Sequence, residues 1–96
     1  MEKKKVVVTG LGCITPLGND VKTFWEGIRA GRCGINTITR FDTSRLNVKV
    51  AGEVKDFDVS QYIDPKEAKR LALFAQYAVA AAKQAWVDAG YDTLGE

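Results

Sequence analysis

The longest regular pattern of apolar and polar positions in the chain lies between Asp64 and Gly90. Asp64 and Pro65 suit the N-cap and the first position of a helix, and Gly90 suits the residue just past its end. Between them, apolar residues recur at helical spacing along one face, and most are alanine: Leu71, Phe74, Ala75, Ala78, Ala82, Ala85, Trp86 and Ala89. The pattern predicts one continuous helix that begins at Asp64 and stops at Gly90.

A second apolar set lies on roughly the opposite side of this predicted helix. Leu73, Ala80 and Val87 recur there every seven residues. A helix that is apolar on two sides is covered on both faces. We therefore expect its C-terminal part to be a middle layer of a larger body.

The first turn of the predicted helix is basic. Lys66, Lys69 and Arg70 share an arc of about 100° on its polar side, close to the positive end of the helix dipole, where cations are disfavoured. This placement indicates a site for an anionic partner. An ordinary solvated charged face is the alternative, because charge clusters on helices are commonly only that.

The N-terminal part contains an unbroken apolar run followed by glycines. Val6–Val8 is typical of a central strand buried on both faces. The glycine-rich loop after it departs from the dinucleotide-binding fingerprint, because Thr15 takes the place of the last glycine and Pro16 falls where the helix would be running. We expect no nicotinamide or flavin cofactor, and interpret Gly10 and Gly12 as letting the strand leave a crowded sheet.

The middle of the chain predicts a helix and a short strand. Asn19 or Asp20 can cap the helix, Gly31 can end it, and an apolar stripe runs along it: Val21, Phe24, Trp25 and Ile28. We interpret Trp25 as core packing rather than as part of a cofactor site. A long ordered connection at 32–45 precedes a strand of alternating polarity at 46–50, which ends near Gly52 as an edge or hairpin arm. Residues 91–96 are expected to form a loop.

Composition limits the chemistry. The 96 residues carry 14 basic and 12 acidic side chains, a balance that does not favour nucleic acid, and no apolar run is long enough for a membrane span or a signal peptide. We expect a cytosolic chain.

Without histidine, and with only Cys13 and Cys33 twenty residues apart, no zinc site, metal site or Cys–His catalysis is expected. Both cysteines are interpreted as packing residues, and a disulfide is disfavoured.

Several short segments, taken together and in order, resemble the amino-terminal part of the β-ketoacyl-acyl-carrier-protein synthase II family, the elongating condensing enzymes of dissociated fatty-acid synthesis. The resemblance covers almost the whole chain. It is carried by Val6–Gly12, Thr15–Asn19, Trp25, Gly34–Ile35, Phe41–Asp42, Val54–Phe57 and the Phe74-x-Gln76-Tyr77-Ala78 stretch.

The resemblance implies an α/β fold: the N-terminal part of a thiolase-like, layered αβαβα enzyme about four times longer and usually a homodimer. Residues 1–96 would open its first ketoacyl synthase half. The family's catalytic cysteine and two histidines lie beyond the matching segment, so no catalytic residue is expected here. The family's reaction is a decarboxylating Claisen condensation on acyl carrier protein, without a cofactor.

Within the matching segment, the resemblance implies one binding role. Lys66, Lys69 and Arg70 occupy the positions that present basic residues to the acidic carrier protein. Many members follow the basic pair with Met and Asp, where this chain has Leu71 and Ala72. The local charge is therefore more positive, and the fine geometry of the helix is open to change.

A second class of function stays open. A 96-residue domain could fold alone and use the same basic residues to hold an acidic partner. A segment of a larger enzyme would instead expose a contiguous apolar patch of more than a few hundred Å². Burial of the apolar residues therefore separates the two hypotheses.

Overall fold

The computed structural model describes residues 3–91, so the loop expected beyond Tyr91 lies outside the described residues. The regular elements form a small mixed α/β arrangement. In chain order they are α1 (Val21–Arg29), β1 (Ile35–Thr37), β2 (Val50–Gly52), a 3₁₀ turn (Val59–Gln61), α2 (Pro65–Ala68) and α3 (Leu73–Asp88).

Helix α1 forms where the sequence predicts it. Of the two candidate caps it is Asp20 that acts, and its Oδ1 accepts the backbone N–H of Thr23 at 2.7 Å. That hydrogen bond lowers the pKa of Asp20. Gly31 follows the helix with a φ of 71°, the left-handed conformation that glycine adopts without steric cost. The predicted start and stop of this helix are confirmed.

The predicted continuous helix from residue 64 to Gly90 is wrong: it is two helices. Asp64 caps α2 by accepting the N–H of Lys66, and Gly90 follows α3 with a φ of 82°. Both predicted ends are therefore confirmed. Between them the chain leaves the helix at residues 69–72, and Ala72 is extended with a ψ of 157°. No proline or glycine marks this break.

The predicted central strand at Val6–Val8 is not formed. Residues 3–14 contain no assigned strand, and Val6, Val7 and Val8 are exposed, Val6 by 94%. A strand is held by hydrogen bonds to a neighbouring strand. Among the described residues no segment pairs with the valines, so the hydrogen bonds that would hold them as a strand are not made.

A short antiparallel hairpin takes the place of the single strand expected at 46–50. Strand β2 pairs with β1, with Ile35 opposite Gly52 and Thr37 opposite Val50. The interpretation as a hairpin arm is confirmed, although the strand lies later and is shorter. The sequence did not predict β1, because three residues within a Gly- and Thr-rich connection give no periodic signal.

Arg40 joins the hairpin to α3. Its Nη2 donates to the backbone carbonyl of Val54 at 2.9 Å and to the hydroxyl of Tyr77 at 3.1 Å, and its Nε lies 3.8 Å from a carboxylate oxygen of Glu53. Phe57 packs edge-on against Tyr77, with ring centroids 4.9 Å apart. Side chains from three segments therefore fix the connection to the N-terminal part of α3.

Very little of the apolar content is buried. Among the described residues, the buried hydrophobic side chains are Ile63, Ala68 and Ala80. The chain exposes 8058 Å², whereas a compact monomer of this size exposes about 5,400 Å². The expected cover on both faces of α3 is incomplete within the described part of the chain: Ala80 is fully buried, but Phe74 is 77% exposed and Leu73, Trp86 and Val87 are also exposed.

Candidate functional site

The three basic residues predicted as a docking site are all exposed. Lys66 lies in α2, Lys69 is its C-cap, and Arg70 follows in the turn. Within residues 3–91 the structure shows no hydrogen bond or ion pair from their side chains. We call Lys66, Lys69 and Arg70 the basic cluster.

The electrostatic argument for the basic cluster is wrong in its geometry. It placed all three cations in the first turn of a long helix, near the positive end of the dipole. Helix α2 has only four residues, and Lys69 and Arg70 lie at its C-terminal end, where cations are favourable rather than strained. The helix dipole therefore gives no reason for an anion to bind here.

The basic cluster sits on a well-anchored turn. Ile63 and Ala68, 6% and 5% exposed, are two of the buried hydrophobic residues, and they lie on either side of the Asp64 cap. The side chain of Lys83 on α3 donates to the carbonyl of Tyr62 just before it. The backbone that carries the cations is therefore fixed even though their side chains are exposed.

Gln76 closes the break between α2 and α3. Its Nε2 lies 3.0 Å from the carbonyl oxygen of Ala68 and 3.3 Å from that of Leu71. The backbone of the turn adds two hydrogen bonds of the three-residue type, from Arg70 N to Glu67 O and from Leu71 N to Ala68 O. The two carbonyls that Gln76 holds lie on either side of Lys69 and Arg70.

The glycine loop packs directly on α3. The N–H of Leu11 donates to Asp88 Oδ2 at 2.9 Å, and the N–H of Cys13 donates to Gln84 Oε1 at 3.0 Å. A Cβ atom at Gly12 would lie 2.7 Å from the Cβ of Gln84, and Gly10 is crowded in the same way by Ala89. The glycines permit close approach to a helix, and these two amides are already occupied, so they are not free to bind a pyrophosphate.

Gln84 joins three segments and was not predicted from the sequence. Besides accepting from Cys13, its Nε2 donates to the carbonyl of Asn19 at 2.6 Å and to the hydroxyl of Tyr62 at 3.0 Å. A signal was present, because Gln76 and Gln84 are uncharged polar residues in an otherwise alanine-rich helix. Such residues commonly hydrogen-bond when they are partly buried.

Neither cysteine has the environment of an activated nucleophile. Burial, with a smaller contribution from nearby Asp20, raises the pKa of the Cys13 thiol, which favours the protonated form. Cys33 is exposed, with its Sγ 3.6 Å from the carbonyl oxygen of Ile35. Both are free thiols. The expectation that Cys33 is a packing residue is therefore wrong, while Cys13 is half-buried.

An open groove of about 890 Å³ lies between α1, the 3₁₀ turn and α3. Trp25 lies on its wall and is 55% exposed, so the interpretation of Trp25 as core packing is wrong within the described part of the chain. The groove carries charges of both signs, from Asp20, Lys22 and Asp88 among others. Two residues of the apolar stripe of α1, Val21 and Trp25, therefore face an unfilled space rather than a core.

The described residues also bear on metal binding and on membrane crossing. Within residues 3–91, no group of three or more His, Cys, Asp or Glu side chains is placed to hold a metal ion. Over the same residues, no helix combines the length and the apolar character that crossing a membrane requires.

The chain belongs to the β-ketoacyl synthase family. Residues 3–94 match the family described as Beta-ketoacyl synthase, N-terminal domain. The match covers α1, the hairpin, the basic cluster and α3. The family resemblance inferred from the sequence is confirmed.

Individual relatives agree with this assignment. The chain is similar to the 3-oxoacyl-[acyl-carrier-protein] synthase 2 of Synechocystis sp., at 55% identity over 93% of this chain and 21% of that protein. The proteins of the same name from Staphylococcus aureus (strain COL) and Coxiella burnetii are 50% and 45% identical, over 95% and 96% of this chain and 22% of each relative. The chain thus spans about a fifth of the length of these curated relatives.

The fold agrees with a solved member of the same class. The ishigamide ketosynthase/chain length factor superposes with a TM-score of 0.79 at 43% sequence identity, covering 88% of this chain and 21% of that chain. The mixed α/β arrangement of the described residues is therefore that of a ketosynthase segment.

Proposed function

We propose that this chain is the amino-terminal segment, residues 1–96, of the first half of a fatty-acid-elongating 3-oxoacyl-acyl-carrier-protein synthase. Its fold is the opening of a thiolase-like αβαβα body, which acts in the cytoplasm as a homodimer. The single observation that carries the proposal is the family match over residues 3–94, supported by relatives at 45–55% identity.

The proposed reaction is a decarboxylating Claisen condensation. An enzyme thiolate displaces the carrier thiol and takes the acyl group as a thioester. Malonyl-carrier protein loses carbon dioxide, and the resulting carbanion attacks the thioester carbonyl. A new carbon–carbon bond forms, the enzyme thiol is released, and 3-oxoacyl-carrier protein leaves.

This segment contributes scaffold rather than catalytic groups. The chain has no histidine, and its more buried thiol, Cys13, has a raised pKa, opposite to what a nucleophilic cysteine needs. The catalytic cysteine and histidines of the family belong to the remainder of the synthase. The segment's exposed valines and the exposed apolar side chains of α3, among them Phe74 and Trp86, are the surfaces that the remainder would cover.

We predict that the longer synthase converts acyl-carrier protein and malonyl-carrier protein into 3-oxoacyl-carrier protein with release of carbon dioxide. The 96-residue chain alone should give no product. Mass spectrometry of the carrier-bound product checks for condensation by the longer synthase. The intact mass of the 96-residue chain checks that it carries no acyl group. Absence of condensation by the longer protein, or an acyl thioester on Cys13 or Cys33, would contradict the proposal.

The basic cluster is proposed to bind the acidic acyl carrier protein. Its three cations are exposed in α2 and in the fixed turn after it, and their side chains have no partner among the described residues. Opposite charges across an interface steer encounter and set specificity more than they add affinity. The support comes from exposure and charge, with no contribution from a helix dipole.

Reversing Lys69 and Arg70 to glutamate in the longer synthase should weaken carrier binding about 10-fold at low salt, because two attractions become repulsions. The loss should appear mainly in the association rate and shrink as salt screens the charges. Surface binding kinetics at two ionic strengths measure both effects.

A matched control replaces Arg29 and Arg32, at and just after the end of α1, with glutamate. It changes the net charge by the same amount as the Lys69/Arg70 variant. That variant should leave carrier binding nearly unchanged. Equal weakening by both double variants would show a general charge effect, and unchanged affinity of the Lys69/Arg70 variant at low salt would refute the docking role.

An independent binding module would use the same three cations but needs a closed core. Among the described residues, only Ile63, Ala68 and Ala80 are buried hydrophobics, and two of them are alanines. So small a core does not offset the entropy of ordering the chain. The observed burial therefore favours the enzyme segment over the module.

A further inference from the structure

The break between α2 and α3 changes the donors of two carbonyls: that of Ala68 keeps a backbone donor, the N–H of Leu71, and that of Leu71 has none among the described residues. In a continuous helix, the carbonyl of Ala68 would accept from the N–H of Ala72, and that of Leu71 from the N–H of Ala75. Ala72 is extended with a ψ of 157°, so the helical ladder is interrupted there. The amide of Gln76 reaches both carbonyls, at 3.0 and 3.3 Å.

Glutamine is well suited to this task. Its side-chain nitrogen carries two N–H donors, whereas glutamate has none when ionised and methionine has none at all. Both hydrogen bonds are partly buried, so losing the donors exposes the carbonyls to a desolvation cost that solvent does not fully relieve. Gln76 therefore stabilises the broken conformation against the continuous helix that the sequence pattern favours.

The two carbonyls bracket the exposed cations. Ala68 and Leu71 flank Lys69 and Arg70 directly, so the amide fixes the backbone from which both side chains leave the surface. In a continuous helix, the same residues would point around the helix axis at 100° intervals instead. The backbone from which the two charged side chains extend is thus held by Gln76, which is not itself part of the basic cluster.

We propose that Gln76 is a positioning residue for carrier docking: it holds the conformation of the turn that carries Lys69 and Arg70. This inference rests on the proposed docking function of the basic cluster. Fixing the turn before encounter lowers the ordering cost of binding.

The test compares two substrates in the longer synthase. Gln76→Met and Gln76→Glu should raise the KM for acyl-carrier protein about 3- to 10-fold, the effect of misplacing a few surface charges. Gln76→Glu should be the stronger, because its carboxylate would face two carbonyl oxygens. Turnover of a carrier-free acyl-pantetheine, which does not use the basic cluster, should stay unchanged.

Two controls separate the possible causes. Gln61→Glu makes the same charge change on the neighbouring 3₁₀ turn and should leave both substrates unaffected. The Lys69/Arg70 reversal, run in parallel, should raise the KM for acyl-carrier protein only. If that reversal has no effect, the docking proposal itself fails; if it acts while the Gln76 variants do not, the positioning role is overturned.

A purely structural role gives a different result. It would lower activity with acyl-pantetheine and with acyl-carrier protein by the same factor, and would overturn the inference. Hydrogen exchange on the unmodified synthase tests it without substitution. The amides of Arg70 and Leu71 should exchange more slowly than that of Leu46, which donates to the carbonyl of Thr43 in a three-residue turn where, among the described residues, no side chain donates to that carbonyl. Equal or faster exchange would refute the inference.

Discussion

Gly12→Val in the longer synthase is expected to lower the free energy of unfolding by about 3 kcal/mol, the upper range for overpacking a crowded site. A Cβ atom at this position would lie 2.7 Å from the Cβ of Gln84 and 2.8 Å from the backbone nitrogen of Ala85. The loop would have to move off α3, and the hydrogen bonds from Leu11 and Cys13 would be lost with it. Thermal unfolding and soluble yield measure the effect.

Gly31→Asn is the matched control. Gly31 has a φ of 71°, and no atom lies within 4 Å of where its Cβ would be. Asparagine tolerates the left-handed conformation, so this change should cost less than about 1 kcal/mol. Equal unfolding temperatures for the two variants would contradict the close packing of the glycine loop on α3.

The element that packs against the glycine loop could not be predicted from the sequence. The sequence argues against a dinucleotide site, because Thr15 and Pro16 break the fingerprint. It attributed the crowding to a sheet, whereas the neighbour of Gly12 is α3, about seventy residues further along the chain. A glycine in the sequence indicates that another part of the protein packs closely against the backbone, but it does not identify that part.

Local capping chemistry was readable from the sequence. Asp20, Asp64, Gly31 and Gly90 all act as predicted, because each effect depends on residues within one helical turn. The break at residues 69–72 was not readable, because every residue there is compatible with a helix. The donor that stabilises the break, Gln76, lies a full turn beyond it and resembles an ordinary helix residue.

The candidate site was predicted for a partly mistaken reason. The exposed positions of Lys66, Lys69 and Arg70 follow from their polar pattern, and the structure places Lys66 in α2 and the other two in the turn after it. The dipole argument depended on a helix that is not continuous. Hydrogen bonds from Gln76 to the carbonyls of Ala68 and Leu71 hold the geometry of this region. A polar residue in an alanine-rich helix indicates that a hydrogen bond is made, but the sequence does not identify its partners.

The isolated 96-residue chain is expected to associate into oligomers and to unfold without a cooperative transition. Its exposed hydrophobic side chains include Val6–Val8, Phe74 and Trp86, far more than a soluble monomer presents. Analytical ultracentrifugation should show a distribution of species, and a fluorescent hydrophobic dye should bind strongly. A monodisperse, cooperatively unfolding monomer would instead support the independent binding module.

A double variant tests whether the exposed apolar surface of this chain is buried in the longer synthase or remains exposed there. Val7→Lys with Phe74→Lys should shift the isolated chain toward monomer, because two exposed apolar side chains become charged. The same pair should destabilise the longer synthase, where burying two unpaired charges is costly. Opposite effects of one change in the two contexts follow only if these side chains are covered by the remainder of the enzyme. Equal tolerance in both would place the valine run and the exposed face of α3 on an outer surface, and the layered architecture proposed for this segment would then be wrong.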